Sequence, residues 1–378
     1  MLRRMRTSGG SRMRYLRSTC FLIMSLVAAL AAPIAAPAEA QAVPINMVNV
    51  GESFSAGNGA SSNTSGYSAD GCFRHAAVWS QRYAALLRSG GNVVNYSNYA
   101  CSGSWIDNPN LPDDLRIVRQ ISKAAAETGK IDLLTFTAGG NELDWSAVIE
   151  TCAYATPPWA FDFSACKSQL QRVAGIIRSD EYRQRLDYLL TEAKKSMTPN
   201  GKIVWVGYPP LVSGSYVITR SHLECRRLIF CSTVIDEQID VAAVTRSLTD
   251  ELSNLMAARV ASFNSSTTCT SPLVAFVDTR STFANKGVKL GWPELIVYMG
   301  FYTAGVAPMQ QPYPGLSIWP PLQTGIVDQA WFHPTPSGQR SIAQLLNSTV
   351  GRPAPTGCGT TTSTTTSTTT STTTSTTT

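Results

Sequence analysis

Ser53 is the first residue whose type and position could support catalysis, and it lies in the segment GESFSAGNG at residues 51–59. This segment directly follows the apolar run VPINMVNVG at 43–51, which predicts a buried strand. A glycine-rich turn after a strand can expose a serine hydroxyl beside backbone N–H groups that suit a developing oxyanion. A serine hydroxyl alone is a weak nucleophile, and many such serines are turn or capping residues. The pattern therefore indicates a nucleophile only if a base is available elsewhere in the chain.

Three histidines could supply that base. His75 lies in CFRHAAVW at a predicted helix start, where a capping or surface role is expected. His222 lies in SHLECRR, among charges, in a predicted loop. His333 lies in AWFHPTPSGQ, in a loop just before the last predicted helix, where Pro334 restricts the backbone. We therefore expect His333 to reach Ser53.

Two further segments could stabilise negative charge. Asn141 in TAGGNELDW follows the strong predicted strand IDLLTFTAGG, and its side-chain amide is a donor of the type that oxyanion holes use. Gly103 in YACSGSW would offer a backbone N–H with no side chain in the way. Ordinary turn roles are the alternative at both positions.

Strand-like and helix-like segments alternate along the chain. The predicted strands are 43–51, 92–100, 131–140, 202–211 and 273–278, and the predicted helices are 76–90, 113–129, 164–197 in two pieces, 235–264 and 336–348. This alternation predicts a parallel sheet with helices on both faces, in which ligands bind outside the carboxyl ends of the strands. The Pro-, Gly- and aromatic-rich segment 280–330 is expected to run over that edge, as scaffold or as a wall of the substrate cleft.

The order Ser53, Gly103, Asn141, His333 resembles the SGNH hydrolase superfamily, the GDSL-type esterases and lipases. The four blocks of that superfamily are similar to GESFSAGNG, the glycine of YACSGSW, GGNE and the His-Pro of WFHPTPSGQ. The resemblance extends over residues 43 to about 350 and is strongest to the secreted bacterial lipase and esterase branch. It implies an α/β fold, a three-layer α/β/α sandwich with a parallel five-stranded sheet of the flavodoxin-like SGNH type.

The resemblance also implies a role for each block. Ser53 is expected to be the nucleophile and His333 the base that takes its proton and later protonates the leaving alcohol. The backbone N–H groups of Ser53 and Gly103, with the Asn141 side chain, are expected to bind the oxyanion. Water would then release the acyl enzyme, as in other serine hydrolases.

This chain departs from the superfamily pattern at acidic positions. Glu52 replaces the usual aspartate before the nucleophile, and Glu142 replaces the aspartate of the third block, where a structural role is expected. Ala330 stands where the aspartate that orients the histidine is usual, and Asp328 lies two residues earlier. The imidazole needs an acceptor at Nδ1, which a backbone carbonyl of this loop or Asp328 could provide.

The two ends of the chain differ in composition from the middle. Residues 1–40 combine an arginine-rich start, an apolar run and small residues, which is typical of a signal peptide, with a membrane anchor as the alternative. Residues 359–378 form a Thr/Ser-rich tail that is expected to be disordered. The hydrolase domain is predicted over 42–358, and the protein is expected to be secreted, with cell-surface association through the tail left open.

Eight cysteines remain after the predicted signal peptide, and an even number in an exported chain suggests disulfides. The simplest pairing joins neighbours in the order Cys72, Cys101, Cys152, Cys166, Cys225, Cys231, Cys269, Cys358. A zinc site is the alternative, but neither C-x-x-C nor H-x-x-x-H spacing is present, so no metal and no cofactor are expected.

The leading hypothesis is a monomeric enzyme that hydrolyses small-molecule or lipid esters. Polysaccharide O-acetyl esterase activity on an acetylated glycan is a second hypothesis, and a non-catalytic exported surface or binding protein is a third. The net charge of +6 derives in large part from the arginine-rich start, and no basic run follows it. A nucleic-acid partner is therefore not expected. No segment after the apolar run near the start is long and apolar enough to span a bilayer, so stable insertion into a membrane is not expected either.

Overall fold

A computed structural model describes residues 43–61, 66–153, 162–226, 230–269, 273–289 and 332–352. At its centre is a five-stranded, all-parallel sheet with the strand order β2-β1-β3-β4-β8. Its strands are β1 (Ile45–Gly51), β2 (Val94–Asn98), β3 (Ile131–Thr137), β4 (Met197–Val206) and β8 (Val274–Val277). The parallel five-stranded sheet predicted from the sequence is therefore confirmed.

The helices follow the strands in the alternation that the sequence predicts. They are α1 (Ser53–Ala56), α2 (Trp79–Ser89), α3 (Ile117–Thr128), α4 (Trp145–Ala153), α5 (Phe163–Arg178), α6 (Asp180–Ser196), α7 (Val241–Ser265) and α8 (Pro336–Thr349). The segment predicted as one helical region in two pieces is α5 and α6, which meet at Ser179, and the Ser179 hydroxyl caps α6 by accepting the Tyr182 N–H.

Side-chain alternation along the strands divides the core into two clusters, one on each face of the sheet. Met47 and Leu133 pack with residues of α2 and α8 on one face. Val48 and Leu134, the next residues along the same strands, pack with residues of α3, α5, α6 and α7 on the other. Apolar surface is thus buried on both sides of the sheet, which gives the three-layer α/β/α sandwich.

The structure contains an antiparallel hairpin that the sequence did not predict. It consists of β6 (Val217–Arg226) and β7 (Phe230–Asp240), so the predicted helix 235–264 begins only at Val241 and His222 lies in a strand, not in a loop. The apolar residues of IDEQID, Ile235 and Ile239, are four residues apart, which fits a helix, so it is the pairing with β6 that selects the strand. Asp240 ends the strand and starts α7, because its carboxylate accepts the Ala243 N–H.

The predicted strand 202–211 also differs from the observed one. β4 runs from Met197 to Val206 and ends before Gly207 and the prolines at 209 and 210. A short parallel pair follows, β5 (Val212–Ser213) with β9 (Val288–Lys289). Most of the predicted excursion 280–330, the predicted signal peptide and the Thr/Ser tail lie outside the described residues.

Disulfides join Cys72 to Cys101 and Cys152 to Cys166, as predicted. Cys225 lies opposite Cys231 in the register of β6 and β7, and Cys269 is disulfide-bonded. The predicted pairings of these three cysteines stay predictions, because Cys358 and the side chains at 225 and 231 lie outside the described part. None of the described helices combines the length and apolar character needed to cross a membrane.

Candidate active site

The carboxyl ends of the neighbouring strands β1 and β3 lie side by side, and the candidate residues lie close to them. Gly51, the last residue of β1, pairs with Thr137, the last residue of β3. The Cys101 N–H donates to the Gly51 carbonyl at 3.0 Å, which brings the segment after β2 to the same edge. Helix α1 begins at Ser53, two residues beyond the end of β1.

Ser53 and His333, which are 280 residues apart in the chain, are in contact at this edge. The distance from Ser53 Oγ to His333 Nε2 is 2.7 Å. Ser53 is 8% exposed, and the His333 ring lies against the Phe54 ring with 4.6 Å between centroids. A serine hydroxyl within hydrogen-bond reach of an imidazole is the arrangement in which a base can activate the hydroxyl as a nucleophile.

The loop that carries His333 is held by two buried contacts that the sequence did not reveal. The fully buried Gln339 of α8 donates from its amide to the carbonyls of Asn58 and Pro334, both at 3.2 Å. Gly59 has a φ of +78°, and a Cβ at that position would lie 2.6 Å from the Pro334 carbonyl oxygen. The last glycine of GESFSAGNG therefore allows the Ser53 segment and the His333 loop to approach each other.

The Glu52 side chain contacts Ser53, and the sequence did not predict this contact. Its Oε2 lies 2.7 Å from Ser53 Oγ, and its Oε1 accepts from Thr137 Oγ1 at 2.5 Å and Tyr208 Oη at 3.3 Å. The Phe54 N–H also points to Oε2, at 3.4 Å. Burial raises the pKa of the Glu52 carboxyl, and these hydrogen bonds oppose that shift.

Asn141 and the Gly103 segment are tied to each other at the same edge. Asn141 Nδ2 donates to the Ser104 carbonyl at 2.8 Å, which uses one of the two N–H groups of the amide. Gly103 has a φ of +83° and is exposed, and a Cβ there would meet open space. Asn58 Nδ2 donates to Ser102 Oγ at 3.1 Å, so the segment is also linked to the end of α1.

Glu142 provides a second link between these two segments. Its Oε1 accepts the Ile106 N–H at 2.5 Å, while its Oε2 is buried and has no protein partner. Burial raises the pKa of Glu142 to about 7, the largest of the effects on this carboxyl. The expected structural role of Glu142 agrees with this position between the Asn141 turn and the segment after Gly103.

The remaining sequence candidates lie elsewhere. His75 Nδ1 accepts the Ala77 N–H at 2.9 Å just before α2, a local role of the expected kind. Asp328 and Ala330, the candidates that bear on the orientation of His333, lie outside the described residues. Within the described ranges, no group of three or more His, Cys, Asp or Glu side chains is placed to share a metal ion.

The structure thus has a parallel sheet covered on both faces, with a serine–histidine pair and candidate hydrogen-bond donors at its carboxyl edge. No protein-family model matches the sequence, and a search of curated proteins gives no match. Solved structures do match. The chain is similar to an extracellular lipase from Streptomyces rimosus at 20% identity, covering 80% of this chain and 99% of that one, with a TM-score of 0.50.

A phospholipase A1 from Streptomyces albidoflavus NA297 is similar at 18% identity, covering 81% of this chain and 99% of that one, with the same TM-score of 0.50. At these identities the likeness establishes the fold. The predicted three-layer α/β/α fold with a parallel five-stranded sheet is thus confirmed, and the chain shares its fold over nearly the full length of both solved enzymes.

Proposed function

We propose that this protein is a serine ester hydrolase with Ser53 as nucleophile and His333 as general base. The observation that carries the proposal is the 2.7 Å contact between Ser53 Oγ and His333 Nε2 at the carboxyl edge of the sheet. The fold shared with a lipase and a phospholipase supports it. Attack of Ser53 Oγ on the ester carbonyl forms a C–O bond as the Oγ proton passes to His333 Nε2.

The tetrahedral intermediate then collapses to an acyl enzyme. The Asn141 amide and the backbone N–H groups of Ser53 and Gly103 would stabilise the negative oxygen, since each lies in a segment at the same edge. His333 gives the proton to the leaving alcohol, and the C–O bond to that alcohol breaks. Water, deprotonated by the same imidazole, cleaves the acyl enzyme and restores Ser53.

A small apolar cavity lies next to the His333 loop. Phe332, the residue before His333, forms part of its wall together with Trp145 and Ile149 of α4. The rest of the lining is apolar except for the Thr245 side chain, and consists of Val148, Cys152, Leu211, Val212, Thr245 and Val241. The cavity has room for about one water molecule and does not hold an acyl chain, so the proposal extends to carboxylic esters without a preferred chain length.

Hydrolysis of p-nitrophenyl esters from acetate to palmitate, with acetylated xylan in parallel, tests the proposal. We expect turnover that falls about 10³-fold or more in the variants Ser53→Ala and His333→Ala, because each removes a member of one catalytic unit. The values of kcat/KM along this series measure the acyl chain length that the enzyme prefers. Release of acetate from xylan with no cleavage of longer esters would favour the glycan O-acetyl esterase alternative.

Secretion, with cleavage near residue 40, belongs to the same proposal and is compatible with the observed disulfides.

A further inference from the structure

The Ser53 hydroxyl lies between two groups that can both accept its proton. Its Oγ is 2.7 Å from Glu52 Oε2 and 2.7 Å from His333 Nε2. A hydroxyl has one proton, so Ser53 can donate in only one of these two contacts, and the other partner has to donate to Oγ. Base catalysis requires that the Ser53 proton points to His333.

An ionised Glu52 is incompatible with that orientation. A carboxylate only accepts, so its contact with Ser53 uses the serine proton, and His333 would then have to donate an Nε2–H to Oγ. An imidazole protonated at Nε2 cannot take a proton there. If the hydroxyl turned to His333, a carboxylate oxygen would face Oγ at 2.7 Å with no proton between the two atoms.

A protonated Glu52 satisfies every contact. Its Oε2–H donates to Ser53 Oγ, and the Ser53 proton is directed to His333 Nε2. Its Oε1 is then a carbonyl oxygen that accepts from Thr137 and Tyr208. The hydroxyl protons of Thr137 and Tyr208 are both available for donation to Oε1, because each hydroxyl oxygen can accept its own hydrogen bond from another group. Tyr208 Oη accepts the Gly140 N–H, and the Ser55 hydroxyl can donate to Thr137 Oγ1.

The surroundings of Glu52 favour the neutral form. The side chain is 2% exposed, and burial raises its pKa. Two titratable groups act on it, Tyr208 from the segment after β4, which donates to Oε1, and Glu142 from the turn after β3, which interacts with it electrostatically. His333 from the loop before α8 contacts Ser53, the hydrogen-bond partner of Glu52. Of these, Glu142 disfavours a second negative charge when it is ionised.

We propose that Glu52 is a positioning residue that acts in its protonated form, in which its O–H donates to Ser53 and aims the serine proton at His333. The inference rests on the proposed function. It predicts that activity falls at acid pH, when His333 becomes protonated, and falls again at higher pH, when Glu52 ionises.

The test is the pH dependence of kcat/KM in wild type, Glu52→Gln and Glu52→Asp, with Glu127→Gln as the matched control on an exposed face of α3. The glutamine amide can donate to Ser53 Oγ and accept at Oε1 as the neutral acid does, and loses only the 3.4 Å contact with the Phe54 N–H. We therefore expect Glu52→Gln to stay within about tenfold of the wild-type optimum and to lose the alkaline fall. Glu52→Asp is expected to be slower at every pH, with KM nearly unchanged. An alkaline fall unchanged in Glu52→Gln, or a loss of kcat at every pH in a folded Glu52→Gln, would overturn the proposal.

Infrared spectroscopy provides a readout that does not depend on turnover. The carbonyl stretch of a protonated carboxylic acid should be present at the activity optimum in wild type, be absent in Glu52→Gln and shift in Ser53→Ala, which removes its acceptor. Glu142→Gln identifies the separate band of that carboxyl. Absence of a Glu52 band at the optimum overturns the inference. A wild type that hydrolyses no ester contradicts the proposed function, and the band then decides by itself whether Glu52 is protonated beside Ser53.

Discussion

The reactivity of Ser53 depends on the groups around a single oxygen. The imidazole of His333, the proposed base, contacts Ser53 Oγ, and the Glu52 carboxyl contacts the same atom, both at 2.7 Å. Ser53 and His333 could be identified as candidates from their residue types and their positions in the chain. The contact with Glu52 does not, because it depends on the rotamer that a buried side chain adopts among Thr137 and Tyr208, which belong to other strands and segments.

Asn141 offers the clearest single-residue test of charge stabilisation. Asn141→Ala removes the amide that we propose as an oxyanion donor, so we expect kcat to fall about 10²- to 10³-fold with little change in KM. Steady-state kinetics on a p-nitrophenyl ester measures this. Asn95→Ala, at an exposed position of β2, is the control. Equal kcat in Asn141→Ala and wild type would exclude the amide from the oxyanion site.

At the scale of elements, the site depends on the approach of the Ser53 segment to the loop before α8. Gly59 has a φ of +78°, and a Cβ there would lie 2.6 Å from the Pro334 carbonyl oxygen and 3.1 Å from the His333 Cβ. Gly59→Ala should therefore displace the His333 loop and lower kcat about tenfold or more, since misplacement of about 1 Å can cost about 10²-fold.

Gly91→Ala is a matched control for this change. Gly91 has a similar φ of +87°, but a Cβ there would meet no atom within 4 Å. Both variants introduce a strained left-handed backbone, and both should lose stability in thermal unfolding. Only Gly59→Ala should lose kcat, and a comparable loss in Gly91→Ala would show that general strain is the cause.

The sequence predicts the main elements well where periodicity and local signals agree. The strands of the sheet, α2, α3 and α8 occur near their predicted positions, because each combines an apolar pattern with a glycine, proline or capping residue at an end. The hairpin of β6 and β7 is different. IDEQID has a local pattern that fits a helix start, and its strand conformation follows from pairing with 217–226.

At the scale of the whole molecule, the buried carboxyl of Glu142 makes stability depend on pH. Its pKa is raised from 4.5 to about 7 in the folded protein, so the folded state binds this proton more tightly than the unfolded state. The associated stability is fully present below pH 4.5 and is lost as the pH rises through about 7.

We therefore expect the free energy of unfolding to decrease by up to about 3 kcal/mol across that range through Glu142. Glu142→Gln should flatten the dependence, and Glu127→Gln on the surface should not. Urea unfolding at a series of pH values measures both. A pH dependence in Glu142→Gln as steep as in wild type would show that this carboxyl is not the source.

The residues of the candidate site could be predicted from the sequence, but the hydrogen bonds that hold their segments together could not. The order Ser53, Gly103, Asn141, His333 places the four residues at one edge, because the carboxyl ends of parallel strands share that edge. Gln339 holds the His333 loop through hydrogen bonds to Asn58 and Pro334, and nothing in its local sequence marks it. Such buried amides are specified by tertiary packing.

The most direct test of the central claim is covalent labelling with a fluorophosphonate, which reacts with activated serines and needs no knowledge of the natural ester. The purified protein should be labelled at Ser53, as located by peptide mass spectrometry, and labelling should be strongly slowed in His333→Ala. Absence of label in the folded wild type, or equal labelling in Ser53→Ala, would contradict the assignment of Ser53 as the nucleophile.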